Sequence, residues 1–238
     1  MIPFRDRNPS GSTPYVTFVL VAINVVAFFY EAGQPPRQRQ AFIARYALFP
    51  GRVIAYLEGE PKTGLAATFL PFFTSMFLHG GLVHLLGNML YLWIFGDNVE
   101  DRMGHGSYLA FYLLCGLGAG AAHVGSQAVS SAGVDVPTVG ASGAIAGVLG
   151  AYLLAFPRAE VATLVPIGFF FAVVHLPAVV VLGFWFLLQY LGGLQSLRMP
   201  QMGGVAWWAH IGGFVLGMVL LGVFQKPKSQ RRQYVRYR

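Results

Sequence analysis

Charge is what this sequence has least of. Aspartate, glutamate, lysine and arginine make up 11% of its 238 residues, while 55% are hydrophobic. Soluble domains carry about 25% charged residues, so a chain wetted over its whole surface is excluded. Cysteine is nearly absent as well. Cys115 stands alone in an apolar run, which leaves no disulfide framework and no thiolate metal cluster. The sequence has no HExxH, and no carboxylate stands at ligand spacing from His79 and His84, so no metal and no cofactor are expected. Repeats and low-complexity stretches are missing too. The net charge of +7 does not come from a basic patch interleaved with aromatics; it thickens in the tail after Gln225. That pattern argues against nucleic acid as a partner and for a basic segment beside a membrane.

What the chain does have is long apolar blocks. A bilayer core about 30 Å thick needs about 20 mostly apolar helical residues. Blocks over 14–30, 77–96, 108–124, 142–156, 178–194 and 205–224 predict an all-α, polytopic bundle of six transmembrane helices, a single membrane-embedded domain over 1–238. The N-terminal residues 1–13 are polar and precede no small-x-small cleavage pattern, so the first span is read as retained. The connection from Glu31 to about Thr68 is too polar to cross and is expected at the interface, in contact with the lipid bilayer. Gly125–Thr138 reads as a water-facing loop; the stretch Val161–Leu194 is too long for one span and breaks at Pro177, so Val161 to about Val174 reads as an interfacial or re-entrant segment. Six spans put both termini on one side. Arg5, Arg7, Arg102, Arg158 and the tail 225–238 make that side cytoplasmic by the positive-inside rule. The short N-terminus lacks the extended Arg- and Ser-rich character of a transit peptide, which points to a prokaryotic cell (inner) membrane.

Depth counting singles out four polar residues. Ser142 precedes Pro157 by fifteen residues, His210 precedes Gln225 by fifteen, and His84 precedes Asp97 by thirteen. At about 1.5 Å per residue all three lie roughly 20 Å above the inner boundary. Asn88 follows His84 by one turn on the same helix face. A serine hydroxyl is a weak nucleophile until a base takes its proton, and neutral imidazole suits that role. Ser142 is therefore the candidate nucleophile and His210 the candidate general base and acid, with His84, Asn88 and the Ser142 N–H as donors for an oxyanion. No carboxylate shares the layer, so a dyad is expected. Small residues at Gly143, Gly147 and Ala151, and at Gly213 and Gly217, let the fourth and sixth spans approach closely. A lone serine in an apolar helix more often bonds back to its own backbone, and small-residue stripes more often only pack helices. His123 and His175 read as interfacial, Glu100 and Arg102 as structural, and His79 as satisfying backbone at the mouth of the second span.

Over about Phe77 to Gly217 the chain resembles the rhomboid family of intramembrane serine proteases. The likeness rests on His79-x4-His84-x3-Asn88, Glu100-x-Arg102-x-Gly104, Gly140-x-Ser142-Gly143 and Ala209-His210-x2-Gly213-x3-Gly217, in that order. It implies Ser142 as nucleophile, His210 as base, and His84 and Asn88 in an oxyanion hole, acting on transmembrane protein substrates. It also implies a laterally embedded first loop, a cap between the fifth and sixth spans, and the fifth span as a substrate gate. Two departures stand out. Leu70-Pro71 replaces the Trp-Arg of many members, and Ala146 stands where some members carry a tyrosine that stacks on the histidine. A non-catalytic relative that binds and escorts membrane proteins needs neither Ser142 nor His210. A transporter reading fits poorly with the scarcity of intramembrane charge and the lack of an inverted repeat.

Overall fold

The computed structural model describes residues 1–130, 133–168, 170–198 and 205–227. It opens with a short strand, β1 (Ile2–Asp6), and the helix α1 (Tyr15–Ala32). Four short helices follow in the first connection: α2 (Pro36–Tyr46), α3 (Pro50–Leu57), α4 (Leu65–Phe69) and α5 (Pro71–Thr74). The longer helices α6 (Leu82–Met103), α7 (His105–Ser130) and α8 (Ser142–Ala155) come next. A hairpin, β2 (Glu160–Ile167) and β3 (Phe170–Pro177), leads into α9 (Ala178–Arg198) and α10 (Trp207–Phe224).

The chain is a mostly helical, multi-pass membrane protein. Among the described residues four helices are long and apolar enough to cross a bilayer: Tyr15–Ala32, His105–Ser130, Ala178–Leu197 and Trp207–Phe224. Leu65–Phe77 and Leu82–Met103, bent by 75° across a short break, make a fifth if counted together. The block expected over 77–96 therefore starts later. Gly80 and Gly81 are poor helix formers, and α6 begins only at Leu82. The block expected over 142–156 is the 14-residue helix α8, about 21 Å long at the usual rise and short of the bilayer core. Its Gly143–Tyr152 stretch is buried throughout by the neighbouring helices. The third block is longer than expected, since α7 runs to Ser130 and takes in part of the predicted loop. The predicted loop 195–204 and tail 225–238 lie largely outside the described residues, although α9 extends to Arg198.

The segment from Val161 to Val174, read as interfacial or re-entrant, belongs to a small sheet in an otherwise helical chain. It forms antiparallel strands paired from Glu160↔Pro177 to Ile167↔Phe170, and β1 adds to the other edge of β2 with Ile2 opposite Leu164. Valine, threonine and isoleucine alternate through β2, and Gly168 turns the hairpin at φ +59°, a conformation glycine adopts without penalty. His175 accordingly lies exposed on β3, three residues before α9 begins. His123, expected at an interface, is buried within α7.

Long-range polar contacts tie the N-terminal segment to the ends of α6 and α8. Glu100 is fully buried and accepts the Val16 and Thr17 N–H groups (2.9 and 2.8 Å) and the Thr17 hydroxyl (2.7 Å). Pro14 offers α1 no capping side chain, so Glu100 supplies the missing acceptor from another helix. The Tyr152 hydroxyl donates to Asp6 at 2.6 Å, and Ser12 donates to Asp101, also at 2.6 Å. Asn8 and Asn98 pair beside them.

Burial pushes the Asp6 carboxyl from its ordinary value near 3.8 up to about 7; Asp97 adds to the rise and the Tyr152 hydrogen bond opposes it. Between those values the folded chain holds a proton that the unfolded chain releases. The resulting stabilisation is full below about pH 4 and is lost as pH rises through 7, an effect on the order of a few kcal/mol. Thermal unfolding of Asp6→Asn is expected to lose this fall between pH 4 and 8, since the amide keeps an acceptor for Tyr152. An identical fall in wild type and variant would assign it to other groups.

The first connection is anchored without Trp-Arg at 70–71. Leu48 and Thr138 exchange two backbone hydrogen bonds (3.1 and 2.8 Å), and Gly51 donates to the Val134 carbonyl at 2.8 Å. Thr74 donates its hydroxyl to the Tyr46 carbonyl at 2.7 Å, and Leu48, Val53 and Val124 form a small core with Phe69 and Phe72.

Candidate active site

Ser142 is the first residue of α8, so its N–H is one of the first-turn donors that no carbonyl of the helix can reach. His210 lies in the first turn of α10. The two helices run against each other on glycine. A methyl group built on Gly213 would lie 2.0 Å from the Gly143 carbonyl oxygen, and one on Gly217 would lie 2.0 Å from that of Gly147. One on Gly150 would stand 2.1 Å from the Phe214 carbonyl oxygen. Only hydrogen fits at these crossings, as the small-residue stripes imply. The closeness sets Ser142 Oγ 2.8 Å from His210 Nε2, with both residues half-buried.

His84 and Asn88 come to the same place from α6. Gly140 has φ +124°, and a methyl group there would lie 2.8 Å from His84 Cε1 and Nε2 and 3.5 Å from Asn88 Nδ2. Glycine is thus needed twice over, for its backbone angle and for the approach of the imidazole. The Gly140 N–H donates to the Ser75 carbonyl at 2.9 Å, which holds this turn just ahead of Ser142. Asn88 is buried, and among the described residues its Nδ2 has no hydrogen-bond partner. A buried amide donor left open is costly unless something else completes it.

His79 interacts with the Phe77 backbone, in keeping with the expectation that it satisfies backbone at the mouth of the second span. It precedes α6 rather than lying on it, and its fully buried ring packs edge-on against His84 at 5.2 Å between centroids. Chemically, the assembled residues offer a hydroxyl in contact with an imidazole, and beside them uncommitted N–H donors.

The Rhomboid domain profile matches residues 66–227, well over half of the chain. The chain belongs to the rhomboid family. It is 27% identical over 161 residues to the "Rhomboid protein 1, mitochondrial" of Saccharomyces cerevisiae, covering 67% of this chain and 43% of that protein. It is 31% identical over 140 residues to the "Rhomboid protease GluP" of Bacillus subtilis, covering 59% of this chain and 24% of that one. The human "Presenilin-associated rhomboid-like protein, mitochondrial" is 32% identical over 111 residues, covering 46% and 28%. The chain thus spans less than half the length of these relatives.

In this rhomboid chain Ala146 leaves the His210 ring without a tyrosine beneath it, and α9 fills the role. Gln189 Oε1 lies 2.8 Å from His210 Nδ1, and the Trp185 ring lies tilted over the imidazole at 5.9 Å between centroids. Neither residue stood out in the sequence. The available signal was Gln189 itself, an amide that follows the apolar run Ala178–Leu188 in the middle of a span, where polar groups are a marker of function.

Proposed function

We propose that this rhomboid is an intramembrane serine endopeptidase that cuts a peptide bond in or near the transmembrane segment of another membrane protein. The observation that carries the reading is the 2.8 Å contact between Ser142 Oγ and His210 Nε2 at the start of a buried helix. Imidazole accepts the serine proton as Oγ attacks the carbonyl carbon, and the carbonyl oxygen becomes an oxyanion. Asn88 Nδ2, His84 and the Ser142 N–H are the donors on hand to bind it. The tetrahedral centre collapses, the C–N bond breaks, and His210 returns its proton to the leaving amine. Water then attacks the acyl carbon as His210 takes its proton, the C–Oγ bond breaks, and His210 returns the proton to Ser142 Oγ.

The short α8 supports the placement. A helix of about 21 Å cannot fill a 30 Å core, so its serine end starts below the surface, where water must reach it through a polar opening. We place six crossings in the bilayer, α8 being the central short one, with both termini cytoplasmic in a prokaryotic cell membrane. A substrate helix must unwind before its backbone can reach Ser142, so small and helix-breaking residues near the cut favour cleavage.

Proteoliposomes containing the purified chain and a transmembrane test substrate decide the matter. Cleavage is expected for a substrate with Gly or Pro near the outer end of its span and is expected to fall when those residues become Leu. A chain that binds both substrates and cuts neither would instead be an escort factor.

A further inference from the structure

We propose that Gln189 is the positioning residue of the Ser142–His210 pair: a neutral amide on α9 that fixes the imidazole as the Nδ1–H tautomer. The catalytic consequence rests on the peptidase reading; the tautomer does not.

Gln189 is 7% exposed, so its amide must find partners inside the protein. Its Nε2 donates to the Trp185 carbonyl one turn earlier at 3.3 Å. That leaves Oε1 facing His210 Nδ1 at 2.8 Å. A carbonyl oxygen can only accept, so Nδ1 must carry the hydrogen. Nε2 then presents a lone pair to Ser142 Oγ, which is the form a general base needs.

The opposite flip of the amide fails on both sides. It would set Oε1 against the Trp185 carbonyl, acceptor against acceptor, and would put NH2 against Nδ1. The proton would then sit on Nε2, pointing at the serine, and the imidazole could not take a second one without becoming charged. In soluble triads an amide in place of the aspartate fails because it imposes that wrong tautomer. Here the Trp185 carbonyl claims the NH2 and removes the ambiguity. The other partner of the ring, the Ser142 hydroxyl, can donate or accept and so leaves the choice of tautomer to Gln189.

An amide also suits the location. A carboxylate on a lipid-facing helix carries a heavy desolvation cost, whereas glutamine orients the ring without charge. α9 is held to α10 on both sides of this contact. Phe186 packs on Phe214 at 4.7 Å, and a methyl group on Gly192 would meet the Trp207 ring at 2.6 Å. Three helices therefore meet at one imidazole: α8 brings the hydroxyl, α10 the ring and α9 the acceptor.

Two readouts test this. Nitrogen NMR of histidine-labelled protein in detergent micelles, with the His210 signals assigned through His210→Gln, reads the tautomer directly and needs no turnover. Wild type and Gln189→Glu are expected to show the Nδ1–H form, and the near-isosteric Gln189→Met a mixture. An Nε2–H imidazole in wild type, or an unchanged Nδ1–H form in Gln189→Met, would overturn the assignment.

The second readout is the rate of labelling by a fluorophosphonate. It is expected to drop about 10- to 100-fold in Gln189→Met, as when general-base help is partly lost, and to recover in Gln189→Glu. A merely structural role would not be rescued by the charged residue. Labelling of Gln189→Met at the wild-type rate, with wild-type labelling dependent on Ser142 and His210, would remove the catalytic role of Gln189 and leave the peptidase standing. Failure of wild type to label would remove the peptidase reading while the NMR result still decides the tautomer.

Discussion

Ser142→Ala and His210→Ala are each expected to lower the rate of intramembrane cleavage at least about 10⁴-fold, with substrate binding little changed. The size follows from what each removal leaves behind. Without the hydroxyl there is no atom to carry the acyl group, and without the imidazole the hydroxyl keeps its proton at neutral pH. Residues acting as one unit are not additive, so the double variant is expected to be no worse than either single one. Neither change disturbs the scaffold greatly. Alanine is a good first residue for α8, where Ile145 N–H still reaches the Ala141 carbonyl, and the α8–α10 crossing rests on glycines rather than on these side chains. Thermal unfolding therefore stays near the wild-type midpoint. A double variant whose losses multiply would mean that the two groups act separately.

Gly213→Ala is expected to cost both stability and activity, and it does so through backbone alone. The added methyl would stand 2.0 Å from the Gly143 carbonyl oxygen and 3.4 Å from the Ala119 side chain. A carbonyl in a helix cannot swing aside, so α8 and α10 must separate by about 1 Å, an overpacking cost of about 1–3 kcal/mol. Gly213 is one turn from His210, and Gly143 is next to Ser142, so the separation falls directly on the 2.8 Å contact. Misplacement of that order can cost about 10²-fold in rate. Gly222→Ala on the same helix is the control. Among the described residues nothing lies within 4 Å of its would-be methyl group, and activity and unfolding should hold or improve slightly. Equal behaviour of the two variants, measured as cleavage rate and unfolding midpoint, would show that the crossing is looser than the geometry requires.

The site was legible where its chemistry lay along helices of regular rise. Counting residues inward from Pro157, Gln225 and Asp97 placed Ser142, His210 and His84 at one level, and regular helices preserve such counts. The glycine stripes were legible for the same reason. Where the backbone stops being regular, counting failed. The run Val161–Leu176 is apolar on both faces, with Phe170 and Phe171 exposed, so it shows no alternation of polar and apolar residues to mark strands. Its third strand comes from Ile2–Asp6, a pairing that no local pattern announces. The block 77–96 is likewise not one continuous helix, because the chain is extended at Gly81 before α6 starts, and His79 reaches His84 across that break. Gln189 was hidden for another reason. Its amide marks it as unusual after the apolar run Ala178–Leu188, but which neighbour it meets depends on rotation of α9 about its own axis, and the apolar residues around it do not mark one face as inward.

The most direct test of the account is the site of covalent capture. The purified chain in detergent, treated with a fluorophosphonate and digested, is expected to yield one modified peptide, with the added mass on Ser142 and none in His210→Ala. An adduct on another serine, or an adduct on Ser142 that forms equally fast without His210, would contradict the pairing on which the proposed peptidase depends.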